Sequence, residues 1–341
     1  MEHLIGKKVL TDIVNAYGTT VVPANTILTY EALRLIVNHK IDLRALSFTP
    51  SPAAVEANQP DKKAVNKLVR RTVAKSKELF ESIYTSKKVP VMEIRAEVLP
   101  AVQDLSANPS VFELFESVKA KDDYTYQHNI GVGVISTMIG RWLNMDDKQL
   151  STLSLAATLH DVGKVNIPIE ILNKPGKLTE EEYELVKKHT IFGYELLKQT
   201  PGISPKVARV ALQHHEREDG GGYPLGLKRD KIDYLSAVVA VADVFHAMTS
   251  KRPYHEPEPF HEIISQMARG KFGELNPHIV SLFLENVMKK MIGKQVILTD
   301  GRTGEVVMLN PHRMETPLVR IADEFVDLSR EEGLRIREVI S

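Results

Sequence analysis

A histidine stands on the apolar stripe of one of this chain's most regular helical segments. In TYQHNIGVGVISTMIGRWL, His128, Val132, Ile135, Ile139 and Trp142 follow at intervals of four, three, four and three residues. That spacing gathers them on one face of an α-helix, and an apolar face is a buried face. The pattern recurs. In QLSTLSLAATLHDVGK, Leu150, Leu153, Ala157 and His160 share a face, and Asp161 follows directly. In EEYELVKKHTIFGYELL the same holds for Leu185, His189, Phe192 and Leu196. In KVARVALQHH, Val207 and Val210 precede His214 while Ala211 lies one turn before His215. Asp243 is embedded in LSAVVAVADVFHAMTS, a run too apolar for its period to separate helix from strand.

Each imidazole alone reads as a core histidine satisfied by a hydrogen bond, and each aspartate as a cap or half an ion pair. Five inward-facing histidines and two inward-facing aspartates together restrict the fold far more. Burying them separately costs several kcal/mol each without partners. A metal gives them one shared partner, and neutral imidazole with carboxylate suits iron, manganese, zinc or related divalent ions. Seven ligands exceed one ordinary site, and an aspartate can bridge two ions, so the sequence predicts a two-metal centre. Such centres suit phosphoester hydrolysis, where they supply a nucleophile from water and stabilise charge on phosphoryl and leaving oxygens. Lys164, three residues after Asp161, is then a candidate charge stabiliser or proton donor. The chain has no cysteine, which excludes disulfides, thiolate nucleophiles and Cys-ligated zinc.

The 341 residues predict a mainly α protein with a helical core, a small mixed α/β N-terminal module and a small β C-terminal module. We divide it at 1–60, a regulatory or capping module with β-like KKVL and TTVV and a helix around TYEALRLIVNHK. A helical connector follows at 61–100, the core at 101–290, and a β-rich module at 291–341. SFTPSPAAVEANQP reads as a linker before the connector. In the connector Val65, Val69, Val73, Phe80 and Ile83 keep roughly one face, which fits either packing on its own domain or a homodimer through a second copy. Lysine plus arginine and aspartate plus glutamate number 44 each, so no overall basic field gathers nucleic acid. With neither a signal-peptide core nor an apolar run of spanning length, the chain is expected to be cytoplasmic and free of membrane.

From TYQH through HDVGK, ILNKPGKLTEEE, KKHTIFGYELL, HHEREDGGGYPLGL and VADVF to SKRPY, this order of blocks resembles an HD-GYP domain of the HD phosphohydrolase superfamily. The resemblance implies a helical phosphodiesterase that hydrolyses cyclic di-GMP to linear pGpG, with or without onward cleavage to GMP, using two divalent ions, iron or manganese. It implies that His128, His160, Asp161 and Asp243 hold one ion, and that Asp161 bridges to a second held by His189, His214 and His215. Lys164 would support the reacting phosphate and Arg252 would contact the dinucleotide. Gly222-Tyr223-Pro224 would shape the substrate site, meet a partner protein, or form a tight turn. Adjacent helical residues diverge by about 100°, so His214 and His215 are expected at a helix end, where the glycine-rich loop begins.

Three positions depart from the family pattern. Tyr124 stands where some members carry a glutamate ligand for a third ion, which predicts two metals here. His246 replaces the usual aspartate three residues after Asp243, where it either disturbs a contact behind the ligands or adds a ligand. His255 stands where a basic residue often follows RPY. These departures leave two alternatives open. One is a cyclic-dinucleotide-binding signalling module with weak or no turnover. The other is an HD phosphohydrolase acting on another nucleotide.

Overall fold

A computed structural model describes residues 62–340 apart from 109, 120–123, 175, 251–257, 271–273, 311–312 and 323, with the side chains of 62 and 124 also left aside. Before residue 62 it describes 7, 9–15, 18, 20–23, 26, 28, 32, 35–36, 39, 41 and 46. The linker stretch, Arg252 and His255 lie outside the described residues, as does most of the N-terminal helix. The chain divides into two compact units, Met1–Asp61 and Lys62–Ser341.

In the first unit, strand β1 (Ile13–Val14) pairs antiparallel with β2 (Thr20–Val22), Ile13 opposite Val22. Val9, Ile13, Val22, Leu28, Ala32 and Ile36 bury a small core of their own. Within the TTVV stretch, Thr20–Val22 form a strand as their β-branched content predicts, paired with Ile13–Val14.

The second unit is mainly helical. Helix α1 (Lys62–Ser86) buries Val65, Val69, Thr72, Ser76, Leu79, Phe80 and Ile83 within this unit. The Phe80 ring meets Tyr126 edge-on, with centroids 6.1 Å apart. Its apolar face is therefore satisfied by its own domain, the first of the two packings its pattern allows. A π-helical turn (Ile94–Val98) leads into α2 (Leu99–Ser106), and α3 (Val111–Val118) follows.

Helices α4 (Tyr124–Trp142) and α5 (Asp147–Thr158) form a hairpin. Its turn places Asn144 at φ 55° and closes on a capping box, in which Asp146 accepts the Gln149 N–H while Gln149 accepts that of Asp146. A second such box, Thr179 with Glu182, starts α6 (Glu180–Lys187). Then come α7 (His189–Lys198), α8 (Pro205–Gln213) with proline in its first turn, and α9 (Tyr234–Thr249). Helix α9 is buried almost all round, which accounts for its lack of hydrophobic period. Helices α10 (Phe260–Ala268) and α11 (Pro277–Lys289) complete the helical part. Among the described residues no helix is long and apolar enough to cross a membrane.

The end of the chain is an antiparallel sheet of β3 (Gln295–Leu298), β4 (Thr303–Met308), β5 (Leu318–Ile321), β6 (Glu324–Asp327) and β7 (Ile336–Val339), in the order β6-β5-β4-β3-β7. Alternate residues Val296, Leu298 and Val306, with Val319 and Ile336, point into the same apolar cluster as the helices. His261 on α10 closes a 2.9 Å hydrogen bond to the Ile336 carbonyl of β7. The β-rich segment thus continues the helical core.

Candidate metal centre

Five separate segments deliver seven side chains to one place. His128 comes from the second turn of α4, and His160 and Asp161 from the turn that ends α5. His189 opens α7, His214 and His215 follow the last turn of α8, and Asp243 lies within α9. All except His215 are buried, and His215 is partly so.

Their ligand atoms fall into two groups, each gathered within 4.8 Å: Asp161, His189, His214 and His215, and His128, His160 and Asp243. Asp161 stands between the two. Its Oδ1 is 3.2 Å from His189 Nε2 and 3.8 Å from His214 Nε2. Its Oδ2 is 3.4 Å from His160 Nε2 and 3.9 Å from His128 Nε2. Asp243 reaches His128 Nε2 at 3.0 Å with one oxygen and His215 Nδ1 at 4.0 Å with the other.

Backbone contacts decide which imidazole nitrogens carry protons. His160 Nδ1 lies 2.7 Å from the Ala157 carbonyl, and His189 Nδ1 lies 2.6 Å from that of Val186. His214 Nδ1 is 3.0 Å from the Ala211 carbonyl. A carbonyl oxygen only accepts, so each Nδ1 donates and each neutral ring turns an Nε2 lone pair inward. Three lone pairs then face the Asp161 carboxylate. Accordingly, His160 Nε2 and Asp161 Oδ1 are buried with no hydrogen-bond partner. Orphaned acceptors in a dry interior are costly, and a cation answers all of them together. The donor set of imidazole and carboxylate fits divalent metal ions.

Electrostatics keep these groups in their ligating forms. Burial holds the His160 imidazolium down, and pushes His214 and His215 well below the usual imidazole range. For Asp161, burial alone would raise the carboxyl, but neighbouring positive charge, the Lys164 ammonium first, outweighs it and holds the group well below its ordinary value. Asp243 is likewise held low against burial, first by His128, whose Nε2 lies 3.0 Å from its Oδ1. The Lys164 Nζ sits 2.5 Å from Asp161 Oδ2, with its side chain 24% exposed.

The histidine pair meets the centre from a helix end, as the 100° divergence requires. Helix α8 stops at Gln213, and the His214 and His215 rings lie 4.1 Å apart between centroids. The glycine-rich loop then folds back over His215. Tyr223 stacks on its ring at 4.6 Å and 27°, and its N–H bonds the His215 carbonyl at 3.2 Å. A Cβ on Gly222 would lie 2.4 Å from both Arg217 N and His215 O, so only glycine lets the loop pass this close. Gly222 and Tyr223 thus lie against a candidate ligand, and Pro224 follows through a cis peptide bond.

Sequence reasoning passed over Glu216. Its buried carboxylate accepts the N–H groups of Leu225 at 2.7 Å and Leu227 at 2.8 Å, tying the far side of the loop to the histidine pair. A buried acid directly after two inward histidines was the available signal.

Residues 110–273 match the HD domain family model. A cyclic di-GMP phosphodiesterase of Pseudomonas aeruginosa is 34% identical over 276 residues, covering 80% of this chain and 65% of that protein. Another, from Thermotoga maritima, is 39% identical over 180 residues, covering 51% of this chain and 49% of its own length. The chain thus spans less than two thirds of either relative. Among solved structures, an HDGYP protein of Bdellovibrio bacteriovorus aligns with a TM-score of 0.55 at 17% identity, over 84% of this chain and 97% of that one, and so shares the fold. Residues 110–273 are thus similar to the HD domain family, and the ordered histidines and aspartates with the Gly222-Tyr223-Pro224 loop resemble the pattern of its HD-GYP branch.

Proposed function

We propose that the protein is a metal-dependent phosphodiesterase that hydrolyses cyclic di-GMP to pGpG, with or without onward cleavage to GMP. The observation that carries this reading is the convergence of seven imidazole and carboxylate side chains, among which His160 Nε2 and Asp161 Oδ1 are buried with no hydrogen-bond partner. The names of the relatives, cyclic di-GMP phosphodiesterases, supply the substrate class. In this reading His128, His160 and Asp243 hold one ion, and His189, His214 and His215 hold the other. Asp161 serves both, since its two oxygens face different groups. Iron and manganese suit this nitrogen-and-oxygen set.

When bound, such ions supply Lewis acidity toward a phosphodiester and activate water. The chain's own residues do the rest. Asp161 holds the Lys164 ammonium at the edge of the centre, where its partial exposure lets it meet a phosphate oxygen or give a proton to the leaving oxygen. Arg252, outside the described residues, contacts the dinucleotide in this reading. Gly222, Tyr223 and Pro224 border the substrate site and keep His215 in place.

The test is hydrolysis of cyclic di-GMP by metal-loaded protein, followed by separation of pGpG and GMP, beside a second cyclic dinucleotide and a nucleoside monophosphate ester. Turnover of cyclic di-GMP in preference to the others supports the reading. Tight binding with no product would replace it with the signalling-module alternative, and preference for another nucleotide would reassign the substrate.

A further inference from the structure

One buried imidazole beside the centre belongs to neither ligand group. His246 lies on α9 three residues after Asp243 and is 1% exposed. Its Nε2 is 2.9 Å from the Val118 carbonyl oxygen at the end of α3. That oxygen only accepts, so Nε2 carries the proton and the neutral ring offers a lone pair at Nδ1. This Nδ1 faces His128 Nδ1 at 3.0 Å. His128 must therefore donate from Nδ1, which leaves its Nε2, 3.0 Å from Asp243 Oδ1, as the atom that faces the centre. The Ser250 hydroxyl, 3.3 Å from the same His246 Nδ1, is placed to donate there as well.

The ring also has a slot made for it. A Cβ at residue 131 would lie 2.1 Å from His246 Nε2, so Gly131 on α4 leaves room for this imidazole three residues beyond His128. Both the steric slot and the hydrogen-bond polarity point to one task.

We propose that His246 is a positioning residue, which fixes the tautomer and orientation of His128 through a neutral relay from the Val118 carbonyl. The proposal rests on the reading that His128, His160 and Asp243 hold an ion. Partners behind metal-ligating histidines set ring orientation and ligand basicity, and their loss typically lowers affinity about 10–100-fold. A neutral imidazole in this role adds no negative charge behind His128.

The experiment uses the full chain labelled with ¹⁵N-histidine. Long-range ¹H–¹⁵N spectra of the metal-free protein read each ring's protonated nitrogen, and a manganese(II) titration followed by electron paramagnetic resonance counts sites and affinities. We expect His246 protonated at Nε2 and His128 protonated at Nδ1. In His246→Phe, which fills the slot without an acceptor, one manganese site should weaken about 10–100-fold while the other holds. His246→Asn, which returns an acceptor near the Nδ1 position, should restore most of that loss. A wild-type His246 protonated at Nδ1, or a His246→Phe protein with both affinities unchanged, would overturn the proposal. Circular dichroism checks that the variants fold, and if His246→Phe does not, the wild-type tautomers and His246→Asn decide. None of these readouts uses cyclic di-GMP. Intact manganese sites with no hydrolysis would sink the proposed function and leave the role of His246 standing.

Discussion

At the scale of single residues, spacing carried most of the information. His128, His160, His189 and His214 could be placed inward because each shares a helical face with apolar neighbours, and the structure buries all four. The sequence could not show which oxygen of Asp161 faces which group, since that depends on helices brought together from distant parts of the chain. We expect His160→Ala or Asp161→Ala to lower metal content and reduce hydrolysis more than about 100-fold while far-ultraviolet circular dichroism stays near wild type. Metal analysis and assay of one sample check this. A subtler case is Gly163 in HDVGK, where a Cβ would lie 1.9 Å from the His189 carbonyl oxygen and 2.3 Å from Gly193 N. Backbone atoms cannot swing aside, so Gly163→Ala should cost at least the roughly 1–3 kcal/mol of ordinary overpacking and displace α7 with its histidine. Thermal unfolding would register the first effect and metal content the second.

At the scale of elements, helix ends matter as much as helix faces. The HHEREDGGGYP stretch foretold that α8 would stop at its histidines, because two adjacent imidazoles cannot share one helical face. The loop's attachment was not legible, for it depends on contacts across nine and eleven residues from Glu216 to Leu225 and Leu227. Removing that carboxylate takes the acceptor from the part-buried Leu225 and Leu227 N–H groups and frees the loop that carries Tyr223. Hydrogen bonds to charged groups contribute about 1.5–3 kcal/mol each, so Glu216→Ala should destabilise the protein by several kcal/mol or open the loop locally. Amide exchange distinguishes these outcomes: protection lost only at 220–227 marks local opening, whereas unchanged protection at Leu225 and Leu227 would contradict the anchoring role.

For the whole molecule, the mainly helical class and both β-bearing ends follow from period and turn residues. That the C-terminal sheet shares the helical core does not, because the alternating pattern of a strand says nothing about which layer it covers. Val296, Leu298, Val306, Val319 and Ile336 are each almost fully buried against that core. A chain ending at residue 290 should therefore lose cooperative thermal unfolding or melt well below the full chain, while an unchanged melting temperature would mark the sheet as a separable module. The protein's response to acid follows from the buried histidines. His160, His214 and His215 are held below the ordinary imidazole value of 6.5 in the folded state. The unfolded chain takes up protons there first, so stability from these groups is full above pH 6.5 and falls as pH drops below it. Chemical denaturation of metal-free protein from neutral to mildly acid pH should show that decline. The central claim is tested most directly by purifying the full chain without oxygen, counting metals per chain and assaying cyclic di-GMP hydrolysis on the same sample. Two ions per chain with conversion to pGpG or GMP, both lost on chelation, is the predicted result. Hydrolysis that persists in metal-free protein, or a chain that takes up no metal on reconstitution, would contradict it.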